Sequence, residues 1–485
     1  ARVTGVQTCA LPIFKALRVI WNSPSTFGGI GNVYNSFLPS LTLGCGSYGH
    51  NSVGGNVSAI NLLNIKKVGK RRNTMQWFKV PQKIYFERNS IQYLRSCKEV
   101  GKVFIVTDRS MVELGFLNKI VDELNQRRTP VTYQLFAEVE PDPDIETVRK
   151  GVAIMEQFKP DTIIALGGGS SMDAAKGMWI FYEHPEVNFD DLKQKFMDIR
   201  KRAFKYPELG RKSKLICIPT TSGTGSEVSP FAVISDKAHG KKYPLTDYSL
   251  TPSIAIVDPE FTTNLPARST AETGMDVLTH AIEAYTSVMA SDFTDGLALE
   301  AIKLVFAYLP RAVKDGKHDL VAREKMHNAA TIAGMAFANA FLGLVHSLAH
   351  KVGAEFHTVH GRTCAILLPH VIRYNGTTPT KLALWPKYEE YQCDQKYLEI
   401  CQMLGLKAKD KSEAADVLAN AVTALAKDVG IDMNFQSIIP DEKLYMSRLE
   451  DIAYLAYEDQ CTPANPRLPL VPDMIQILKD AYKGN

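Results

Sequence analysis

The sequence lacks the cysteine spacing that holds a zinc ribbon or a disulfide framework. Eight cysteines are scattered over 485 residues, and no two form a Cys-x-x-Cys pair. Disulfide-rich scaffolds and zinc ribbons place their cysteines at short, regular spacings. We therefore predict a protein of a reducing compartment, the cytoplasm.

Long hydrophobic runs and an excess of one charge are also absent. No stretch approaches the roughly 18 consecutive apolar residues of a membrane-spanning helix, and the start has no long apolar signal core. The 56 basic and 52 acidic residues leave a net charge of only +4, which argues against a broad nucleic-acid-binding surface. The basic run KKVGKRR at residues 66–72 is more typical of a solvated linker than of a nucleic-acid patch. We expect neither a membrane nor a nucleic acid as partner.

The composition is that of a folded globular protein. Hydrophobic residues make up 45% of the chain and charged residues 22%, and the length suggests about two to four domains. Residues 1–14 resemble translated adapter sequence, and we expect them to be non-native. Residues 15–74 are rich in Gly, Ser and Asn, with little helical or strand periodicity.

Residues 75–265 and 266–485 have different patterns. In the first range, apolar β-rich runs (KVFIVTD, VTYQLF, DTIIALGGG, KLICIPT, SIAIVD) alternate with helical spacings, which predicts βαβ units and a Rossmann-like parallel sheet. In the second range, long Ala- and Leu-rich segments replace the strands. We predict an α/β N-terminal domain followed by an all-α C-terminal domain.

The apolar run DTIIAL leads through Gly167, Gly168 and Gly169 into a helical pattern. Backbone N–H groups of such a loop, together with a helix N-terminus, suit a phosphate or pyrophosphate. The spacing is neither G-x-G-x-x-G nor a P-loop. The alternative is a plain strand-to-helix turn, with Ser170 or Ser171 as cap and Asp173 near the helix dipole.

A second loop, IPTTSGTGSEVSPF, follows another apolar strand and is dense in hydroxyls, including those of Thr220 and Thr221. Two such loops at strand carboxyl ends favour a nucleotide cleft. Asp108 ends an earlier strand, where it can cap a helix or accept hydrogen bonds from a ribose hydroxyl. Both roles remain open at this point.

Histidines cluster in the second half. Five of the eleven fall within 25 residues: His346, His350, His357, His360 and His370. The pairs His346/His350 and Asp276/His280 are each spaced by four, so each pair can share one helical face. A carboxylate with imidazoles suits iron, zinc or another divalent first-row ion. The spacing alone does not choose which histidines are ligands.

The motifs GGGSSMDAAK, TTSGTGSE, GMDVLTHAIEAY and GLVHSLAHKVGAEFHTVHG, in this order, resemble the iron-containing (group III) alcohol dehydrogenases. The likeness runs from about residue 75 to the end and is strongest to the C-terminal part of bacterial bifunctional aldehyde–alcohol dehydrogenases. It implies the dehydroquinate synthase-like fold, with an NAD-binding α/β domain over 75–265 and a helical metal-binding domain over 266–485. Residues 15–74 resemble the end of an aldehyde dehydrogenase domain and its linker. Acetylating aldehyde dehydrogenase activity is therefore expected to be absent, and Cys45 is not its nucleophile.

The resemblance also implies a set of site residues. The metal ligands it implies are Asp276, His280, His346 and His360. His350 is implied to join a proton path beside these histidines, whereas His357 varies among relatives. The cofactor residues it implies are Asp108, Gly168, Gly169, Ser170, Asp173, Thr220, Thr221 and Lys242. Ser171 stands where the family commonly has proline, and we expect little consequence.

The activity implied by the resemblance is the interconversion of acetaldehyde, or another short aldehyde, and its primary alcohol. The cofactors would be NAD and Fe²⁺, with Zn²⁺ possible. The alternatives are a zinc polyol or longer-chain alcohol dehydrogenase of the same fold, or a non-catalytic filament assembly module. A homo-oligomer is expected, with filaments in full-length relatives. The chain retains all the implied metal ligands, which argues against a non-catalytic module.

Overall fold

A computed structural model describes residues 18–21, 67–70, 77–98, 100–192, 205–236, 241–379 and 390–484. The chain divides into two units, and the first comprises residues 1–77, 196–203 and 383–390. Within this unit the described strands β1 (Arg18–Trp21) and β2 (Lys67–Lys70) pair in parallel. The predictions for residues 1–14 and for Cys45 lie outside the described residues. All other predicted site residues belong to the second unit.

The second unit contains a six-stranded parallel sheet of order β3-β10-β7-β6-β4-β5. Its strands are β3 (Lys83–Phe86), β4 (Lys102–Val106), β5 (Thr132–Phe136), β6 (Thr162–Gly167), β7 (Lys214–Pro219) and β10 (Ile254–Val257). The central strand β6 is buried along its whole length, as expected of a parallel strand covered on both faces. The predicted Rossmann-like sheet is confirmed.

Helices connect and cover these strands. They are α1 (Tyr93–Ser96), α2 (Arg109–Glu113), α3 (Phe116–Asn125), α4 (Ile145–Phe158), α5 (Gly169–Glu183) and α6 (Phe189–Leu192). An antiparallel hairpin of β8 (Phe231–Asp236) and β9 (Lys241–Thr246) follows β7, although no strand is predicted there from the sequence. The backbone of Lys242 pairs with Ser235 in this hairpin, while the Lys242 side chain lies outside the described residues.

Among the described residues, no strand follows Val257. The helices there are α7 (Ala267–Thr286), α8 (Asp292–Asp315), α9 (Leu320–Ala340), α10 (Leu344–Phe356), α11 (His360–Gly376), α12 (Cys393–Met403), α13 (Lys411–Asp428), α14 (Glu442–Tyr457) and α15 (Val471–Lys483). They pack around one apolar core that includes Met275, Val305 and Leu348. The predicted all-helical C-terminal region is confirmed, and the exact boundary at residue 265 stays a prediction.

No single helix in the described ranges combines the length and the apolar composition needed to cross a membrane. Only α9 and α10 taken together, across a bend of 105°, meet both conditions. Most residues of these two helices are buried within the protein.

Candidate metal centre and glycine loops

Three helices bring the four predicted ligands to one point. Asp276 and His280 lie one turn apart on α7, His346 lies in the first turn of α10, and His360 begins α11. The Nε2 atoms of the histidines lie 3.8 Å (His280), 3.6 Å (His346) and 3.6 Å (His360) from Oδ1 of Asp276. Asp276, His346 and His360, together with Cys364, offer ligand atoms that all lie within 4.8 Å of one another, and His280 Nε2 lies beside them near Asp276 Oδ1.

Two of these converging atoms are buried without a hydrogen-bond partner, namely Asp276 Oδ1 and His346 Nε2. Such atoms are uncommon in folded proteins, because an unpaired buried polar atom is costly. A cation at the centre would satisfy both of them. The donor set, one oxygen and three nitrogens, suits a divalent first-row metal.

The carboxylate of the cluster, Asp276, is ionised and negatively charged. Burial raises the pKa of Asp276, but the neighbouring His280 and His360 outweigh burial and hold this pKa below its usual value. Burial lowers the pKa of His280 to about 3. Burial also lowers the pKa of His346, but the charges of Glu283 and Asp276 outweigh it and raise this pKa to about 9. The carboxylate is thus ionised and attracts positive charge.

Two neighbours of the cluster were not singled out from the sequence. Glu283 accepts a hydrogen bond from Nδ1 of His346 at 2.6 Å, and Cys364 Sγ lies 3.6 Å from His360 Nε2. A sequence signal existed for both, because Glu283 follows His280 by three and Cys364 follows His360 by four. These spacings place each on the face of a predicted ligand.

His350 lies on the outer side of the cluster. Its ring stacks on that of His360, with centroids 5.5 Å apart and an interplanar angle of 14°. Its Nδ1 lies 3.4 Å from Oδ2 of Asp459, a carboxylate that also accepts from Lys351 Nζ at 2.7 Å. The His350 side chain is 40% exposed and that of His360 is 42% exposed, so both rings reach solvent, whereas His280 and His346 are buried.

The two remaining histidines of the sequence cluster lie elsewhere. His357 ends α10 as an exposed residue in the left-handed conformation, with φ of 53°. His370 lies in α11, ten residues after His360, and burial lowers its pKa to about 4. The structure thus brings His346, His350 and His360 together and separates His357 and His370 from them.

The first glycine loop joins β6 to α5. Gly167 has φ of +148°, and a methyl group on it would lie 2.5 Å from Ser171 Oγ, so a larger residue would clash there. Gly168 is the N-cap of α5 and provides no side-chain cap. The capping role considered for Ser170 or Ser171 is therefore not observed, and Ser171 instead donates to Asp108 at 3.3 Å.

The second loop packs directly on the first. The backbone N–H of Thr220 donates to the carbonyl of Gly167 at 3.0 Å. A methyl group on Gly168 would lie 3.7 Å from Thr221, and one on Gly169 would lie 3.2 Å from Thr224 Cγ2. Glycine at these positions lets the two loops meet at the carboxyl ends of the adjacent strands β6 and β7.

Asp108 and Asp173 both have structural partners beside the loops. Asp108 caps α2 by accepting from Met111 N–H at 3.2 Å, so the capping alternative is observed and the ribose contact stays a prediction. Asp173 accepts from Ser226 Oγ at 3.1 Å and from Val233 N–H at 3.0 Å. Burial raises the pKa of Asp173 to about 6.

The second loop also contacts two helices of the C-terminal region, α9 and the ligand-bearing α7. Ser222 Oγ lies 3.0 Å from Nδ1 of His327, and Thr331 Oγ1 donates to Glu227 at 2.7 Å, both on α9. A methyl group on Gly223 would lie 2.9 Å from Thr273 Cβ on α7. The loop therefore connects the edge of the sheet to the helical region.

Comparison with known proteins gives two family matches. Residues 81–259 match the model described as iron-containing alcohol dehydrogenase, and residues 270–482 match the C-terminal model of the Fe-containing alcohol dehydrogenase family. The chain is 67% identical over 470 residues to an aldehyde-alcohol dehydrogenase of Streptococcus pneumoniae, covering 97% of this chain and 53% of that protein. It thus spans about half the length of that relative.

Two further relatives match over nearly their whole length. An NADPH-dependent butanol dehydrogenase of Clostridium saccharobutylicum is 41% identical over 410 residues, covering 84% of this chain and 99% of that protein. The solved structure of an iron-containing alcohol dehydrogenase from Thermococcus thioreducens matches with a TM-score of 0.73 and 32% identity, covering 85% of this chain and 100% of that one.

Proposed function

The chain belongs to the iron-containing alcohol dehydrogenase family, and on that premise we propose that it interconverts acetaldehyde and ethanol, or a similar short aldehyde and primary alcohol, with NAD(H) at a divalent metal. It corresponds to the alcohol dehydrogenase part of the bifunctional aldehyde–alcohol dehydrogenases. The observation that carries the proposal is the cluster of Asp276, His280, His346 and His360, in which Asp276 Oδ1 and His346 Nε2 are buried without a hydrogen-bond partner.

In this proposal the four converging side chains hold the metal, with Fe²⁺ as the expected ion. A divalent ion there would supply a Lewis acid for the substrate oxygen. The carboxylate of Asp276 contributes the negative charge that holds a cation in a buried place. The imidazoles add no negative charge to that of Asp276, and a metal at Nε2 of His346 would take the place of the proton that the raised pKa of this histidine favours.

The cofactor is proposed to bind along the glycine loops, at the carboxyl ends of β4, β6 and β7. NAD(H) supplies the hydride chemistry when bound. The backbone N–H groups at the start of α5 would bind its diphosphate. The other proposed contacts lie after β4, at the start of α5, in the second loop and on β9: Asp108, Ser170, Asp173, Thr220, Thr221 and Lys242.

His350 is proposed to pass a proton between the reacting oxygen and solvent. Its ring is stacked on that of His360 and is partly exposed, so it can exchange protons with water. Asp459 accepts at Nδ1 and orients the ring, which leaves Nε2 as the nitrogen that can take up or release a proton toward the site.

Two alternatives are separated by direct measurement. Cys364 Sγ beside His360 adds a soft donor, which favours zinc more than iron, so metal analysis decides between an iron and a zinc enzyme. A substrate panel of ethanol, butanol and glycerol decides the alcohol class. Assembly into homo-oligomers or filaments and a cytoplasmic location remain predictions.

The test combines metal analysis with an activity assay under anaerobic conditions. The wild-type chain, loaded with Fe²⁺ or Zn²⁺, should bind about one metal ion per chain and reduce acetaldehyde with NADH. His360→Ala should lose metal and activity together, because it removes one ligand at a half-buried position. His318→Ala changes an exposed histidine paired with Asp315 and should retain both.

Full acetaldehyde reduction by metal-free wild-type protein would contradict the proposal. So would a His360→Ala variant that keeps wild-type activity after its metal has been removed by a chelator. A metal-loaded protein that is inactive with every alcohol and aldehyde of the panel would support the filament module instead.

A further inference from the structure

Glu283 is a buried carboxylate that accepts several hydrogen bonds from one neighbouring helix end. It lies on α7, the helix that carries Asp276 and His280, and it accepts three hydrogen bonds from the start of α10. These come from Gly343 N–H at 2.9 Å, Val345 N–H at 2.6 Å and Nδ1 of His346 at 2.6 Å. One carboxylate therefore links two of the helices that supply the metal centre.

The contact with His346 has a chemical consequence. A neutral imidazole has one N–H and one lone pair, and a hydrogen bond at one nitrogen determines which nitrogen carries the proton. Glu283 accepts at Nδ1, so in the neutral ring the lone pair lies on Nε2. That Nε2 faces Oδ1 of Asp276 at 3.6 Å and has no hydrogen-bond partner.

We propose that Glu283 is a positioning residue: it fixes the ring orientation and the tautomer of His346, so that Nε2 is presented to the metal. Carboxylates that accept from the distal nitrogen of a ligating histidine commonly act in this way. The inference rests on the proposed function and deepens it, because it names the residue that orients the metal ligand His346.

If Glu283 only stabilises the start of α10, a different experimental result is expected. Glu283 also satisfies backbone N–H groups in the first turn of α10, and helix ends need such partners. Asn465 serves the same turn, since its Oδ1 accepts from Leu344 N–H at 3.1 Å. The other hydrogen bonds of the Asn465 side chain go to Asn375 and Arg467, which makes it a matched control that does not bond to His346.

The experiment compares Glu283→Gln with Asn465→Ala. Metal-free protein is titrated with Zn²⁺ against a competing chelator, and the melting temperature of each metal-free protein is recorded. We expect Glu283→Gln to weaken Zn²⁺ binding by about 10–100-fold. Asn465→Ala should lower the melting temperature of the metal-free protein while changing Zn²⁺ affinity less than about threefold.

A second measurement on the wild type does not depend on a variant that folds. In Zn²⁺-loaded protein with ¹⁵N-labelled histidine, with His346→Gln used for assignment, His346 should show a proton on Nδ1 and a metal on Nε2. A metal on Nδ1, or wild-type affinity in folded Glu283→Gln, would overturn the inference. Equal losses of affinity in Glu283→Gln and Asn465→Ala would assign Glu283 to the helix end only. If the wild type itself does not bind Zn²⁺, the proposed function fails instead.

Discussion

Gly225 and Gly334 lie backbone against backbone where the second glycine loop crosses α9. A methyl group on Gly225 would lie only 2.7 Å from Cα of Gly334. On either side of this contact along the loop, Ser222 is hydrogen-bonded to His327 and Glu227 accepts a hydrogen bond from Thr331, both on the same helix. The loop proposed to bind the cofactor is thus fixed to a helix that packs against α7 of the metal centre.

We expect Gly334→Ala to destabilise the protein. Alanine in an exposed helix stabilises by up to about 1 kcal/mol relative to glycine. Here, however, the new methyl group would lie 2.9 Å from Gly225 Cα and 2.7 Å from Val228 Cγ2, and overpacking of this kind costs about 1–3 kcal/mol. Thermal unfolding should show a lower melting temperature, and NADH titration should show weaker binding because the loop must shift.

The control for this variant is Gly296→Ala in α8. No atom lies within 4 Å of the position that its methyl group would take, so the helix propensity of alanine should act alone and raise stability slightly. If Gly334→Ala is as stable as Gly296→Ala and binds NADH normally, the Gly225–Gly334 contact is less tight than described.

His357→Gly should stabilise the protein. His357 has φ of 53° at the carboxyl end of α10, a conformation in which a Cβ is unfavourable and glycine is not. Relief of the left-handed strain, about 1–2 kcal/mol, exceeds the extra backbone entropy that glycine loses on folding, about 0.5–1 kcal/mol. A net gain of about 0.5–1 kcal/mol should appear as a rise in the denaturation midpoint. His357→Ala keeps the Cβ and should give no gain, so equal stabilisation by both variants would contradict this account.

His370 should contribute to the acid sensitivity of the fold. Burial lowers its pKa from 6.5 to about 4, so the folded state holds it neutral while the unfolded state takes up a proton below pH 6.5. The stability it contributes is present above pH 6.5 and is lost as the pH falls to about 4. The loss amounts to at most about 3 kcal/mol.

His370→Gln should therefore flatten the dependence of unfolding free energy on pH between about 6.5 and 4. The matched control is His318→Gln, because it makes the same change at a histidine whose side chain is 74% exposed. Identical slopes in wild type and His370→Gln would show that this histidine titrates alike in the folded and unfolded states.

Asp108 should make the protein prefer NADH to NADPH, because its carboxylate at the end of β4 would repel a 2′-phosphate. The butanol dehydrogenase relative is named NADPH-dependent, so a preference for NADH is not a property that can be assumed for every member of the family. Asp108→Gly should lower the ratio of kcat/KM measured with NADH to kcat/KM measured with NADPH. Asp108→Asn keeps a side chain able to cap α2 and should lower the ratio similarly without the same loss of stability. An unchanged ratio in both variants would mean that Asp108 does not contact the ribose.

Local sequence determined much of this protein. The apolar runs predicted five of the six strands of the parallel sheet, but neither β3 nor the β8–β9 hairpin. The helical spacings predicted the helical C-terminal region, because hydrophobic periodicity over a few residues is a local property of the chain. The spacing of Asp276 and His280 placed them on one face of a helix for the same reason. The order of the glycine and histidine motifs was sufficient to indicate the family.

Only the tertiary structure decided which distant groups meet. Glu283 and His346 are 63 residues apart, and His350 and Asp459 are 109 apart. No periodicity within one segment specifies such pairs, because they depend on how α7, α10 and the segment after α14 pack around a shared core. His357 and His370 lie apart from the other histidines of the sequence cluster. His357 follows the last residue of α10, and His370 lies ten residues along α11 from His360.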